Sequence, residues 1–138
     1  MKHNYLYNIG ILLLFATIFV ACSKKERPPA LIVHVQEQDE TPADGAWVHV
    51  WTADAGQPGS TINEQMFDQE GYTDAAGNLT FNFPFSAVLD VDVIYHKNYL
   101  DTLLNPAVDT LYGHRVVKIE SVRQSSEENN YRETVDVQ

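Results

Sequence analysis

Trp47, His49 and Trp51 alternate with Ala46, Val48 and Val50. If the small apolar set points into a core, the two indoles and the imidazole form one outward stripe on a single strand. Such a stripe can stack on a sugar ring or on a partner's apolar surface. The pattern admits two other outcomes. The connection from Asp54 to Asp68, or a neighbouring domain, covers the stripe; or a one-residue register change puts both indoles inside. His34 shares the outward side of an earlier strand with Ile32 and Gln36, and would approach His49 if the first two strands pair. Two histidines only begin a metal site, and no spacing in the chain supplies a third ligand. His96 and His114 have no His-x-x-x-His or Cys pair beside them. Asp39, Glu40 and Asp44 form one acidic loop cluster, and Asp68, Glu70 and Asp74 a second; neither has the ligand spacing of a calcium loop. A Gly-x-Ser-x-Gly elbow and a phosphate-cradling Gly loop are both missing. No catalytic residue, metal or other cofactor is therefore expected.

The chain has 138 residues, with 19 acidic against 9 basic and a formal charge of −10. From Pro28 onward five basic residues face eighteen acidic ones. Such a surface repels phosphate backbones, which argues against a nucleic-acid partner. The length suits one domain, and seven Gly and six Pro exclude a collagen-like chain.

Lys2 and His3 precede an apolar run from Ile9 to Val20. As a helix this run rises about 18 Å, short of the ~30 Å hydrocarbon core of a bilayer, so residues 1–21 read as a secretory signal peptide. The run closes on Phe19-Val20-Ala21-Cys22, which resembles a bacterial lipobox with Phe19 where Leu is usual. Cys22 is the one cysteine of the chain. The resemblance implies lipidation of its thiol and new amino terminus by palmitate-type acyl chains, and hence a membrane anchor. Residues 22–29 then form a tether that ends in Pro28-Pro29 and favours an extended chain. Ser23, where a retention signal would place Asp, points to the outer membrane of the cell envelope; the leaflet stays open. Asp101-Thr102-Leu103 and Asp109-Thr110-Leu111 resemble an Asp-Thr-aliphatic O-glycosylation signal of exported proteins, with Thr102 and Thr110 as acceptors.

Positioning these residues falls to strands. From Ala30 the period is two: Leu31, Val33, Val35; then Ala46, Val48, Val50; then Leu79, Phe81, Phe83; then Leu89, Val91, Val93, Tyr95. Arg115–Ile119 and Tyr131–Val137 add two strands, and Met66–Thr73 holds a seventh. Thr41–Gly45 and Asp74–Asn78 are turn-rich. About seven short strands over residues 30–138 predict an all-β, antiparallel two-sheet sandwich.

Two segments carry a family resemblance. Thr41-Pro42 followed by Gly45-Ala46-Trp47-Val48-His49-Val50 is similar to the Pro, spacer, Gly-Ala-x-Val-x-Val pattern of carboxypeptidase regulatory-like domains. Thr73-Asp74-Ala75-Ala76-Gly77-Asn78-Leu79-Thr80-Phe81 resembles their Thr-Asp-x-x-Gly-x-Phe-x-Phe hairpin. These domains are relatives of the transthyretin (prealbumin-like) sandwich, commonly accessory, adhesive or spacer modules on exported proteins. The resemblance covers Leu31 to Tyr95 and implies a fold rather than a reaction. Hydroxyisourate hydrolases are sandwich relatives. His34-Val35 and Tyr131-Arg132 resemble two of their motifs, but Asn78 stands where their Arg should be, and no guanidinium is there to hold an anion. The expectation is a non-enzymatic, lipid-anchored envelope module that binds a protein partner or, alternatively, a glycan through Trp47, His49 and Trp51.

Overall fold

Strict alternation builds two layers, because a strand with apolar residues on one side can bury that side only against another sheet. The computed structural model describes residues 27–53, 64–121 and 128–138. Cys22, the signal segment, the first part of the tether and residues 54–63 lie outside them. Strand β1 (Ala30–Glu37) buries Leu31, Val33 and Val35, and β2 (Trp47–Trp51) buries Val48 and Val50. A single turn, α1 (Glu64–Phe67), leads into β3 (Gln69–Tyr72), followed by β4 (Asn78–Asn82). Two long strands, β5 (Ala87–Leu100) and β6 (Pro106–Ile119), precede β7 (Asn130–Val137).

The sheets are β4-β1-β7 and β3-β2-β5-β6. Between them lie Leu31, Val33 and Val35 from one side and Val48, Val50, Leu89, Val91 and Val93 from the other, all buried. Each such side chain contributes roughly 1.5–3 kcal/mol by leaving water. Phe67 from α1 stacks on Phe83 at 5.6 Å and closes one end. Thr73 fastens the opposite corner: its buried hydroxyl donates to the Ala43 carbonyl (2.5 Å) and accepts from Ala46 N (2.9 Å). The residues just before β1 are held as well. Pro29 is buried, its carbonyl accepts from Phe83 N, and the Arg27 carbonyl accepts from Asn129 Nδ2.

The two-sheet sandwich expected from the period is present, and three expectations about its wiring are corrected. β1 and β2 do not pair; they belong to different sheets, so His34 does not approach His49. Thr73–Phe81 is not a hairpin. β3 pairs with β2 and β4 with β1, so the turn at Asp74–Asn78 carries the chain from one sheet to the other. Asp74 shapes that turn by accepting from Ala76 N and Asn78 N, both at 2.9 Å. Gly77, at φ +73°, presses its backbone against β1, where its carbonyl accepts from Val35 N at 2.8 Å. Finally, the sandwich is antiparallel except at β1–β7, which run parallel from Ala30↔Asn130 to Glu37↔Val137. β6 and β7 close one edge through the Arg115–Glu133 ion pair (2.9 Å) and reciprocal backbone bonds between Tyr112 and Gln138.

Candidate functional site

Because Val48 and Val50 point inward, Trp47, His49 and Trp51 project from the outer face of the four-stranded sheet, all half-buried. The register extends them into cross-strand rows. Trp47 lies between Tyr72 and Ile94, and Ile94 is opposite Tyr112, giving the row Tyr72–Trp47–Ile94–Tyr112 across β3, β2, β5 and β6. The next row is Glu70–His49–Asp92–His114, and a third brings Trp51 to Asp90 and Val116. Tyr72 and Tyr112 are 69% and 60% exposed, so the aromatic row is open to water at both ends.

Carboxylates orient the rings. Trp51 Nε1 donates to Asp92 Oδ2 at 2.7 Å, and Trp47 Nε1 to Glu70 Oε2 at 3.3 Å. His49 Nε2 lies 2.6 Å from Asp68 Oδ1, and its ring stacks on Trp47 with centroids 5.5 Å apart. His114 bridges two carboxylates, with Nδ1 2.8 Å from Asp92 and Nε2 3.7 Å from Asp90. Burial raises the pKa of Asp92, but hydrogen bonds from Trp51 and His114 and the nearby charges of His114 and His49 outweigh it. The carboxyl is held below its ordinary value. Two open depressions flank the aromatic row. One of about 550 Å³ is lined by Trp47, Asp92, Ile94, Tyr112, His114 and Asp136. The other, about 340 Å³, lies between Trp47, Tyr72, Ile94, His96 and Gly45.

With each indole N–H bound to a carboxylate and one face of Trp47 taken by His49, the other ring faces remain as stacking surface beside acceptor oxygens. That combination suits hydroxyl-bearing rings and basic or neutral peptide side chains, and it repels anions. Asp68 and Glu70, expected with Asp74 in a loop cluster, belong instead to this face, whereas Asp74 serves its turn. Asp68 also brings the end of the 54–68 connection against the stripe, while residues 54–63 lie outside the described part. Among the described residues, no group of three or more His, Cys, Asp or Glu side chains is arranged to hold a metal ion. The sequence reading did not join Tyr72, Ile94, Tyr112, Asp92 or His114 to the stripe. The outward parity of Asp92 and Ile94 was visible in the alternation of β5, but the neighbours of all five depend on strand pairing.

The remaining candidates lie elsewhere. His34 faces out from the three-stranded sheet, its Nδ1 3.1 Å from Asn78 Oδ1. Tyr131 stands opposite Leu31 on the core side and bonds the backbone of Glu120, so it and His34 lie on opposite sides of their sheet. Thr102 is exposed in the β5–β6 turn, and Thr110 is exposed on β6 with its hydroxyl 3.1 Å from His96.

No family model and no curated protein matches this chain. Several solved structures share its shape. BcpA, the major pilin subunit of Bacillus cereus, superposes with a TM-score of 0.51 over 80% of this chain at 13% identity, and this chain spans 30% of that pilin. A Pseudomonas aeruginosa protein provisionally assigned to carbohydrate binding superposes at 0.52, with 7% identity, over 86% of this chain and 93% of its own. A weaker match, 0.47 at 14% identity, is to 3-chlorocatechol 1,2-dioxygenase of Rhodococcus opacus, covering 83% of this chain and 61% of the enzyme. At these identities the likeness is one of fold: this chain is an all-β, two-sheet sandwich.

Proposed function

We propose that this protein is a non-enzymatic binding or assembly module, lipid-anchored through Cys22 in the cell envelope, in the manner of carboxypeptidase regulatory-like domains. The observation that carries the proposal is the carboxylate-rimmed aromatic row on the open face of β3-β2-β5-β6. An open face suits binding better than catalysis, because water screens the charges that would have to stabilise a transition state. Its acidity selects a neutral or basic partner. The test is a crosslinking pull-down from membranes bearing the lipidated wild type or Trp47→Ala/Trp51→Ala, with folding checked by circular dichroism. An envelope protein recovered by the wild type and lost from the folded double variant supports the proposal. The same protein set from both overturns the role given to this face.

A second reading, glycan binding, is favoured by the indole faces lying beside carboxylate acceptors. The similarity in shape to the Pseudomonas aeruginosa protein provisionally assigned to carbohydrates adds weight. Under this reading, soluble envelope glycan fragments bind the wild type directly and fail to bind the double variant, and no protein is captured.

A further inference from the structure

The β5–β6 ladder outruns its own sheet. β2 stops pairing with β5 at Ile94, and Gln138 reaches β6 at Tyr112. β5 and β6 nevertheless pair on from Tyr95↔Leu111 to Leu100↔Pro106. Six residues on each strand, at about 3.3 Å per residue, make a ribbon roughly 20 Å long. Its lower part rests on the body: Tyr95 and Leu111 pack against the core, and Lys97 bonds Glu37 at the end of β1. Its outer part displays leucines to water, with Leu100 62%, Leu103 79% and Leu104 76% exposed.

The tip is rigidly built. The Asp101 carboxylate accepts from Leu103 N and Asn105 N, both at 2.8 Å, and the Asp101 carbonyl accepts from Leu104 N. Leu104 sits at φ +63°, a left-handed conformation that suits Gly or Asn and that a branched side chain rarely adopts. Neither local backbone preference nor solvation explains a leucine there, and strain of this kind concentrates where function needs it. Asp101 is occupied by its own turn. Below the tip the surface is acidic: Asp109 stands opposite Lys97 in the ladder, Asp39 acts on the same lysine, and Lys97 is already bonded to Glu37, so these carboxylates form an acidic collar.

We infer that the β5–β6 arm is a docking element that seats Leu103 and Leu104 in an apolar cleft of a protein partner whose rim is basic. Charge complementarity selects this occupant. A second copy would bring two acidic collars together, and an anionic bilayer would repel the collar. The chain enters at Arg27–Pro29, beside Asn129 and Phe83, and β1 runs from there toward the arm. The tip is therefore at the far end of the sandwich from the entry. Granted the anchor of the proposed function, it points away from the membrane.

The test places a photo-crosslinking amino acid at Leu103 in the full lipidated chain in its native membrane, with Thr80 on the outer face of the other sheet as control. The expected result is one protein adduct from position 103 and none from position 80. That protein, purified, binds the wild type and loses about tenfold or more in affinity to Leu103→Asp/Leu104→Asp. It binds several-fold more weakly as salt is raised. Both leucines are exposed and Asp tolerates the left-handed conformation of residue 104, so the double variant melts no lower than the wild type. An adduct of twice the chain's own mass, a lipid adduct, no adduct, or unchanged affinity in the double variant overturns the inference. Trp47→Ala/Trp51→Ala retains the Leu103 adduct, so failure of the tryptophan face and failure of the arm are read separately.

Discussion

Gly45 and Gly77 make a matched pair for testing how the sheet-crossing turn is held. Their φ values are +74° and +73°, so an alanine at either meets the same backbone penalty, about 1–2 kcal/mol. Their surroundings differ. A Cβ on Gly45 meets nothing within 4 Å, whereas one on Gly77 falls inside contact distance of the Val35 carbonyl oxygen and lies 3.4 Å from Ala43 N. Relieving that clash pulls the turn off β1 and breaks Val35 N→Gly77 O (2.8 Å) and Ala43 N→Val35 O (3.0 Å). Leaving such buried groups unpaired costs about 1–3 kcal/mol each, so Gly77→Ala totals about 3–8 kcal/mol with the backbone penalty included. With a urea slope of about 2 kcal/mol/M, the midpoint falls by about 0.5–1 M for Gly45→Ala and about 1.5–4 M for Gly77→Ala. Equal midpoints for the two variants would refute the reasoning, because the penalty would then be backbone conformation alone.

Thr73→Val removes both bonds of the buried corner hydroxyl while keeping its shape. It lowers stability by about 2–4 kcal/mol in urea unfolding, and Thr73→Ser restores most of the loss. Asp92 has a depressed folded pKa, so its stabilisation is complete above the ordinary aspartate value of about 3.9 and is lost as pH falls through the folded value. The difference in melting temperature between wild type and Asp92→Asn is therefore largest near neutrality and shrinks in acid; a difference that grows below about pH 4 would contradict this. Cys22→Ser shifts the protein from the membrane pellet to the soluble fraction, as read by immunoblot. A variant that stays in the pellet would refute lipid attachment at that thiol.

Much of the layering is legible in the sequence, because a period of two states which side of each strand is buried. Leu31, Val33, Val35, Val48 and Val50 are inside as their alternation demands, and Trp47, His49 and Trp51 are outside. Parity does not say which strand lies alongside, however. Nothing local distinguishes a β1–β2 hairpin from two strands in different sheets, and that choice separated His34 from His49. The Asp74–Gly77 turn has the residues of a hairpin, yet its contact with Val35 is what makes it a crossing between sheets. The full lengths of β5 and β6 were hidden for a related reason. Beyond Tyr95 neither face is buried, so the alternation that marks a strand fades while the ladder continues to Leu100. The site suffered the same loss. Asp92, Tyr72, Tyr112 and His114 come from strands far apart in the chain and join the tryptophans only through register.

The chain has two tryptophans, and both lie on the proposed contact face, so their emission reports on that face alone. The most direct measurement is the tryptophan emission of the purified protein, titrated with the envelope protein that the wild type captures from membranes and Trp47→Ala/Trp51→Ala does not. The account predicts a saturable change in intensity or wavelength that follows complex formation seen by size exclusion. A complex that forms while the emission stays unchanged would contradict it, since the partner would then bind away from Trp47 and Trp51.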